Sequence, residues 1–476
     1  MATDTAPRTD WGHLWRSGAL PRFCFISLGI IFHAGGENMI STIMPAMVAE
    51  IGGVELNGWN FAIYEIGSII AGAATGRLTT FWTVRTNMIA AALVYALGTV
   101  VVALAPDMAW ALGGRLLSGF GGGALIALSF VAIQRYFNAA IWPQLIAIMS
   151  VVWGVAAFAG PLYGGIIGTI MSWRWAFGLL AIAGVVFAIA CLFVLRHEPR
   201  PVSDPKSRHF PALALACLAL GITAIAAAGV EARIPVAAGL VAAGLLGIVV
   251  FFVLDARNQV SRLFPSASFD PRTTVGAGFL MVAALSVSTC SFAFYGPLLL
   301  SAMHGFTPLT TGFIIASESV SWSLMSILIA NAPRHREALI VRAGALMITA
   351  GVAGFAWAVP SGSIPGIVLF ALLQGGGFGI LWPFANRCVV EAAPEHEREV
   401  TASAFSTLQR MGYALGAAIA GIIANANGFS GGFTKAAAAG AALPLFLYFL
   451  PVAALGCWAA FRLARVMAAV PMRPRD

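Results

Sequence analysis

The sequence predicts an all-α integral membrane protein with fourteen transmembrane helices, arranged as six, then two, then six. Two observations predict this class. Hydrophobic residues make up 59% of the 476 residues and charged residues only 10%, whereas soluble globular proteins carry about 25% charged residues. Long apolar runs also alternate with short polar breaks, which is typical of membrane helices and not of barrels, whose strands are short and alternate in polarity.

Each predicted span is an apolar run of about 20 residues, the length that a helix needs to cross the hydrocarbon core. The first span contains Glu37 and lacks an A-x-A cleavage pattern, so we expect it to be retained and not removed as a signal peptide. The fourteen spans lie near residues 22–48, 58–79, 86–105, 108–134, 142–170, 174–195, 210–229, 234–254, 273–301, 309–331, 338–359, 364–390, 400–426 and 441–468.

The basic residues between the spans predict the orientation. Of the 27 Lys and Arg residues, 22 lie in the two tails and in every second loop, three lie in the opposite loops, and Arg115 and Arg410 lie inside spans. The positive-inside rule therefore places both termini in the cytoplasm of a cell whose inner (cytoplasmic) membrane holds the protein. Topology accounts for the net charge of +8, so nucleic acid is not needed as a partner.

The two groups of six spans resemble each other in sequence. Near-equal offsets relate three pairs of residues: Gly121 and Gly375 are 254 residues apart, Glu65 and Glu318 are 253 apart, and Gly154 and Gly412 are 258 apart. Two related halves with a site between them near the midplane are usual in secondary transporters. We therefore interpret Glu65 and Glu318 as matched positions in two homologous halves.

The spans and loops together predict the organisation of the chain. It comprises a cytoplasmic tail (1–21), a six-helix half (22–195), two extra helices with cytoplasmic linkers (196–272), a second six-helix half (273–468) and a cytoplasmic tail (469–476). An ATP-binding G-x-x-x-x-G-K-[ST] motif does not occur in the sequence. Transport would therefore depend on a gradient or on a partner.

Several glycine-rich motifs fall inside the spans. The fourth span reads GRLLSGFGGGA, the fifth reads GVAAFAGPLYGG, and the next turn reads SWRWAF. These resemble motifs of the fourteen-span drug:proton antiporter branch of the major facilitator superfamily, and HGFTPLTTG and QRMGYALGAAIAG resemble its C-terminal half. The resemblance implies the major facilitator fold and transport by alternating access. It assigns the antiporter motif to Gly154, Gly160, Pro161, Gly164 and Gly165.

The loop after the second span departs from the family pattern. The family reads G-x-L-a-D-r-x-G-r-r there, and this chain reads GRLTTFWTVR. Gly76, Arg77 and Arg85 match a gate loop, but Thr80 replaces the aspartate that helps to lock the cytoplasmic gate, and Thr83 replaces a glycine. We therefore expect the free energy of closing the cytoplasmic gate to differ from that in the family.

Ionisable residues inside the spans are the candidate functional residues. Such residues usually face a bundle interior or an aqueous cavity. We expect Glu37, Arg115 and Glu318 to take part in proton coupling, with Glu37 protonated from outside and Arg115 approaching it from the fourth span. A static Glu37–Arg115 ion pair is the structural alternative. His33 lies four residues before Glu37 on the same helical face, and a metal site there would need a third ligand.

Acidic and aromatic side chains predict the substrate surface. We assign His33, Tyr64, Glu65, Trp322, Gln409 and Arg410 to substrate binding. Carboxylates beside aromatic rings suit a lipophilic cation through charge pairing and cation–π contact. In the thirteenth span the family reads R-q-l-G where this chain reads Gln409-Arg410-Met411-Gly412, so either Gln409 or Arg410 faces the cavity.

The predicted function is proton-coupled antiport that exports an amphipathic, cationic or neutral small molecule. No enzyme activity, cofactor or metal is expected; the partners are the substrate, protons and the lipid bilayer, and the expected state is a monomer. Two alternatives stay open. One is a siderophore or metabolite transporter of the same fold, working as an exporter or a proton symporter, in which Arg410 would help to bind an anion. The other is a receptor on this fold without coupled transport.

Overall fold

Helices occupy all fourteen intervals that the apolar runs predict. The computed structural model describes residues 19–138, 141–195, 210–258, 262–266, 268, 270–330 and 332–469. The predicted tails lie outside the described residues at positions 1–18 and 470–476, as does the predicted linker at positions 196–209. Within the described part of the chain every regular element is helical.

Sixteen α-helices form in the described residues. They are α1 (Ala19–Ile51), α2 (Asn57–Phe81), α3 (Val84–Ala103), α4 (Met108–Tyr136), α5 (Trp142–Ile170), α6 (Trp173–Val194), α7 (Ala212–Ala228), α8 (Ile234–Arg257), α9 (Thr274–Cys290), α10 (Gly296–His304), α11 (Pro308–Ile329), α12 (Arg334–Ser361), α13 (Ile364–Ala392), α14 (Arg398–Ala426), α15 (Lys435–Leu447) and α16 (Leu450–Ala469).

Two predicted spans are each built from a pair of helices. A π-helical segment, Ser291–Tyr295, joins α9 to α10, and it immediately precedes Gly296 and Pro297. Proline has no N–H to donate to the preceding turn and crowds the carbonyl four residues back, which accounts for the irregular winding there. The break between α15 and α16 likewise precedes a proline, Pro451.

Eleven helical segments are long and apolar enough to cross a membrane, judged by length and composition in the described residues. The remaining three predicted intervals are α2, α7 and α14. Helix α7 has only 17 residues, whereas α2 contains Glu65 and Arg77, and α14 contains Arg398, Glu399 and Arg410. The protein is thus a multi-pass helical membrane protein.

The helices group into two bundles that we name by their members. In the first bundle, α1–α6, helix α4 packs on α2 and α3, α5 packs on α1, and α6 packs on α3. In the second bundle, α9–α16, helix α13 packs on α11 and α12, and α9 packs on α14 and α16. Helices α7 and α8 pack on each other beside the two bundles.

Glycines set the distance between helices in the same way in both bundles. A Cβ at Gly119 of α4 would overlap the carbonyl of Tyr64 on α2, and a Cβ at Gly375 of α13 would overlap the carbonyl of Glu318 on α11. The same contacts recur one turn later, where Gly123 lies against Ser68 and Gly379 lies against Trp322. Glycines that allow such close backbone approach are frequent in membrane helix pairs.

These matched contacts correct the predicted register of the repeat. Packing aligns Glu318 with Tyr64, and not with Glu65 as the offset of the two glutamates suggested. The run of three glycines misled the alignment, because Gly375 takes the place of Gly119 and not of Gly121. The two intramembrane carboxylates therefore occupy different positions in the two bundles.

Two seams join the bundles. In one, α2 meets α14 and the π segment: Asn57 Nδ2 donates to the Phe294 carbonyl at 3.1 Å, and the Phe61 and Phe294 rings stack with centroids 4.0 Å apart. In the other, α5 meets α11, and Ser319 Oγ donates to the Ala157 carbonyl at 3.1 Å. Residues 72–81 of α2 and 398–408 of α14 make no hydrogen bond to the opposite bundle in the described chain.

Helix α7 touches both bundles at the first of these seams. Trp59 Nε1 of α2 donates to the Ala226 carbonyl at 3.1 Å. Asn425 Nδ2 of α14 donates to the Gly229 carbonyl at 2.9 Å and to the Glu55 carbonyl at 2.8 Å. The C-terminal end of α7, which belongs to the segment predicted as separate, is therefore hydrogen-bonded to α2 and α14 alike.

The glycine contacts generate a stability prediction. Replacing Gly119 with alanine puts a methyl group into the α2 backbone, and overpacking of this kind costs about 1–3 kcal/mol. Gly113 lies on the same helix with no atom within 4 Å of its added Cβ, so Gly113→Ala gains helix propensity of about 0.5–1 kcal/mol. We expect Gly119→Ala to lower the thermal unfolding temperature in detergent, and Gly113→Ala to leave it unchanged or raise it. Equal shifts for both would contradict the packing role.

Candidate functional site

Arg410 of α14 reaches across the interface into the first bundle. Its Nη1 lies 3.4 Å from Oε2 of Glu65 on α2 and 3.9 Å from Oε2 of Glu37 on α1. The same nitrogen is in close contact with Nε2 of His33. The Arg410 side chain is 17% exposed and that of Glu65 is 3% exposed, so little water screens the pair. One guanidinium therefore faces two carboxylates from the opposite bundle.

His33 and Glu37 sit one turn apart on α1, and Tyr64 of α2 decides how the imidazole is protonated. Tyr64 Oη lies 3.2 Å from His33 Nδ1 and donates to the His33 carbonyl at 3.1 Å. Because the hydroxyl proton is used there, Nδ1 carries the imidazole proton and donates to Tyr64 Oη. Nε2 is then an acceptor, and Arg410 donates to it. This hydrogen-bond network assigns the neutral Nδ1–H tautomer to His33.

The tautomer leaves Glu37 without a donor. Glu37 Oε2 lies 3.3 Å from His33 Nε2, but an unprotonated Nε2 cannot donate to it. Glu37 Oε2 is accordingly a buried oxygen without a hydrogen-bond partner. A proton on Glu37 would supply the missing hydrogen, and it would then compete with Arg410 for the single lone pair on Nε2.

Arg115 does not form the ion pair with Glu37 that the sequence suggested. Its Nη1 donates to the Gly36 carbonyl at 3.2 Å, and its guanidinium carbon lies 4.0 Å from the centre of the Tyr64 ring. No carboxylate lies within 4.0 Å of Arg115 in the described residues. The Glu37 side chain turns toward His33 and Arg410 instead. Arg115 is a buried cation that ties α4 to α1 and supports Tyr64.

Arg410, and not Gln409, faces the opposite bundle. Gln409 Nε2 donates to the Tyr413 hydroxyl at 3.0 Å on its own helix. The Arg410 guanidinium carbon lies 5.4 Å from the centre of the Trp153 ring on α5, and the Trp153 ring also lies beside His33. Sequence reasoning missed Trp153 and Tyr413. Their positions next to Gly154 and within the QRMGY segment were the available signals.

Glu318 of α11 occupies a second, separate position in the other bundle. Gln374 Nε2 of α13 donates to Glu318 Oε1 at 2.9 Å. Gln374 is fully buried, and its Oε1 has no hydrogen-bond partner. Among the described residues no Lys, Arg or His lies within 4.0 Å of Glu318. Sequence reasoning also missed Gln374, although it is the polar residue directly before the second glycine run.

Aromatic rings line the bundle beside Glu318. Trp322 lies one turn along α11 and stacks on Phe378 of α13, with ring centroids 5.1 Å apart and planes 7° apart. Trp382 continues this wall, 6.3 Å from Trp322 and 4.7 Å from Phe405 of α14. Tyr64, which was predicted to bind substrate, is instead buried under Arg115 in the first bundle. The aromatic wall therefore belongs to the second bundle.

The residues of the antiporter motif lie on both faces of α5. A Cβ at Gly160 would come within 3.1 Å of the Gly35 carbonyl on α1, and one at Gly165 would come within 2.8 Å of the Pro308 carbonyl on α11. Further contacts of the motif place Gly164 against Met39 and Thr42, Pro161 against Gly312, and Gly154 against Ser323. The motif lets α5 pack closely on its own bundle and on the opposite one.

The residues of the gate loop lie at the other end of α2. Gly76 and Arg77 are exposed near the end of the helix, and Arg85 lies in the first turn of α3. Thr83, which stands where the family has glycine, is the N-cap of α3 and accepts a hydrogen bond from the Thr86 amide. Thr80 donates to the Arg77 carbonyl at 2.7 Å. The two substituted threonines thus satisfy local backbone groups.

Comparisons of sequence show the family. Residues 26–411 match the Major Facilitator Superfamily. The probable multidrug-efflux transporter Rv1634 of Mycobacterium tuberculosis is 28% identical over 478 residues, which cover 97% of this chain and 98% of that protein. The putative multidrug resistance protein MdtD of Escherichia coli is 23% identical over 480 residues, which cover 98% of this chain and 96% of that protein.

Solved structures show the same fold. A bacterial homolog of the human lysosomal transporter Spinster, in an inward-facing and unoccupied conformation, matches with a TM-score of 0.68 at 13% identity over 96% of this chain and 99% of that one. The POT family transporter PepTSo matches with a TM-score of 0.65 at 15% identity over 94% of this chain and 98% of that one. The chain belongs to the Major Facilitator Superfamily, and it is a multi-pass membrane transporter and not an enzyme.

Proposed function

We propose that this protein is a proton-coupled antiporter that exports amphipathic small molecules, cationic or neutral, across the inner membrane. Its fourteen spans would be arranged as six, two and six, with both termini in the cytoplasm. The two halves, residues 22–195 and 273–468, would rock about the interface that holds Arg410, Glu37 and Glu65. Relatives that match nearly the whole chain are named multidrug-efflux transporters, which supports export of this substrate class.

The observation that carries the proposal is the guanidinium of Arg410 placed between two carboxylates of the opposite bundle. A guanidinium stabilises the anionic form of a carboxyl group beside it. Closing the α2–α14 seam brings Arg410 to Glu65, Glu37 and His33 Nε2, which favours loss of a proton from the carboxyl groups. Opening the seam withdraws Arg410, so that Glu37 can take up a proton and donate it to His33 Nε2.

The positions of the seam contacts give this proton exchange a direction. Asn57, Phe61 and Asn425 close the seam at the end of the bundle that the charge distribution assigns to the outside. The opposite ends of α2 and α14 make no hydrogen bonds between bundles in the described residues. We interpret this conformation as open toward the cytoplasm, with Arg410 in place beside Glu37 and Glu65. Protons would then load from outside and leave to the cytoplasm, as antiport requires.

Glu318 and the aromatic wall supply the surface for a cationic substrate. A partly exposed carboxylate with no paired cation in the described chain attracts a positive charge, and Trp322 offers a ring face or edge nearby. The same geometry argues against an anionic substrate at Arg410, because the guanidinium already faces two carboxylates. A siderophore or another anionic metabolite would have to displace Glu65 and Glu37.

The ion pair across the seam generates a stability prediction. Arg410→Gln leaves Glu65 buried without its cation, and breaking a buried pair in this way costs about 3 kcal/mol. Adding Glu65→Gln removes the orphaned charge, so the double variant should recover most of the loss of thermal stability in detergent. Equal or additive losses in the double variant would show that the two side chains do not interact.

Transport by purified protein in liposomes tests the coupling. With a pH gradient imposed, we expect the parent protein to accumulate ethidium or tetraphenylphosphonium uphill. Glu37→Gln should abolish uphill accumulation but keep exchange of labelled for unlabelled cation, because only proton coupling is lost. Glu318→Gln should lower both activities more than tenfold. Glu399→Gln, at an exposed carboxylate outside the site, is the matched control.

Three results would contradict the proposal. One is a parent protein that moves none of the cations against its gradient while moving siderophores. Another is a Glu37→Gln variant that still builds a cation gradient. The third is uphill transport that does not respond when the pH gradient is collapsed.

A further inference from the structure

Glu318 differs from the other two carboxyl groups of the interface in the chemistry of its partner. Glu37 and Glu65 face the guanidinium of Arg410, whose positive charge and N–H donors favour the anionic form of a carboxyl group beside it. Glu318 faces the neutral amide of Gln374, which has both a donor and an acceptor. The two kinds of partner predict different protonation behaviour at the two places.

The amide of Gln374 can serve either form of Glu318. When Glu318 is an anion, Nε2 donates to Oε1, as observed at 2.9 Å. When Glu318 is protonated, a half-turn of the amide presents Oε1 as the acceptor for the carboxyl O–H. The buried Gln374 Oε1 that has no hydrogen-bond partner is the group that this second arrangement would use. Leaving a buried acceptor without a hydrogen bond costs free energy. Gln374 Oε1 would gain its hydrogen bond when Glu318 is protonated.

We propose that Gln374 is a positioning residue that holds Glu318, the carboxyl group assigned above to the cationic substrate, in both its anionic and its protonated form. This inference rests on the proposed function and adds the residue that keeps the substrate-binding carboxyl group in place whichever form it takes. When a cation pairs with the Glu318 carboxylate, any proton that Glu318 carried leaves to the solvent, so atoms and charge balance.

The packing keeps this pair in register. Gly375 and Gly379 hold the α13 backbone directly against Glu318 and Trp322 of α11, so Gln374 is fixed beside the carboxyl group. Gln374 is fully buried, whereas Glu318 is partly exposed. Glu318 is therefore the more accessible of the two side chains.

The other groups around Glu318 do not supply a competing charge. On its own helix Ser317 donates to the Ile314 carbonyl, and Ser321 donates to the Leu372 carbonyl on α13. From α5 the contact with α11 is a backbone carbonyl, that of Ala157. From α14 the titratable group in electrostatic range is the Tyr413 hydroxyl, which already accepts from Gln409. The amide of Gln374 is therefore the neighbouring group that can donate a hydrogen bond to the Glu318 carboxylate or accept one from the protonated carboxyl group.

Labelling with dicyclohexylcarbodiimide tests this inference, because the reagent reacts with protonated carboxyl groups in apolar surroundings. The full-length protein in lipid nanodiscs would be treated at pH values from 5 to 9, and the labelled residues located by mass spectrometry. We expect labelling of Glu318 to decline as the pH rises across this range. Saturating ethidium, in protein that exports it, should protect Glu318.

Variants at position 374 separate positioning from simple packing. Gln374→Lys offers only donors and a fixed positive charge, so we expect it to abolish labelling of Glu318 at all pH values tested. Gln374→Met keeps the volume and removes both functions. Hydrogen bonds to a charged group are stronger than neutral ones, so losing the donor should extend labelling to higher pH by about one unit. The methionine variant decides the question if the lysine variant does not fold.

The inference is overturned if Glu318 is unlabelled at every pH, if ethidium does not protect it, or if the pH profile in Gln374→Met matches that of the parent. Labelling needs no gradient, so its outcome is separable from the transport assay. Intact pH-dependent labelling without uphill export would refute the proposed function alone. Uphill export with an unreactive Glu318 would refute this inference alone.

Discussion

The cost of placing charge inside a membrane governs the arrangement of this interface. Each intramembrane charge must meet a partner or an aqueous cavity. The Arg115 guanidinium meets a backbone carbonyl and the face of Tyr64, within one bundle. The guanidinium of Arg410 has its carboxylate partners in the opposite bundle. Its electrostatic stabilisation therefore depends on the relative position of the bundles, and a change in that position alters the charge balance at Glu37 and Glu65.

Close glycine packing makes this dependence possible. Within each bundle, glycine contacts bring the backbones of α4 and α2, and those of α13 and α11, into direct contact, so each pair is closely packed. Between the bundles, glycines of the antiporter motif let α5 pack as closely on α11 as it does on α1. The two seams are unlike in chemistry: the α2–α14 seam carries Arg410 and Glu65, whereas the α5–α11 seam is built from glycines and serines. The ion pairs between the bundles lie in the first seam, and the second is close-packed.

Much of the fold was predictable from sequence, because hydrophobic length and loop charge are local properties. The fourteen helical intervals and the residues Glu37, Glu65, Glu318 and Arg410 all followed from apolar runs interrupted by ionisable side chains. Which of these side chains contact each other was not predictable, because the contacts join residues far apart in sequence. The His33–Arg410 contact joins residues 377 positions apart, and Arg115 had seemed the nearer candidate for Glu37. Gln374 was not predicted because the candidates were selected as ionisable residues, and its amide is neutral.

The contacts of α7 have a thermodynamic consequence for the transport cycle. The carbonyls at its C-terminal end accept hydrogen bonds from Trp59 of α2 and Asn425 of α14, at the seam that would part in the proposed transport cycle. If α2 and α14 separate at this seam, α7 would keep its hydrogen bond to one of them and lose the other, at a cost of about 1 kcal/mol. A carrier without this pair of helices would not bear that cost. Under the proposed function, the extra helices would therefore bias the resting equilibrium toward the conformation in which this seam is closed.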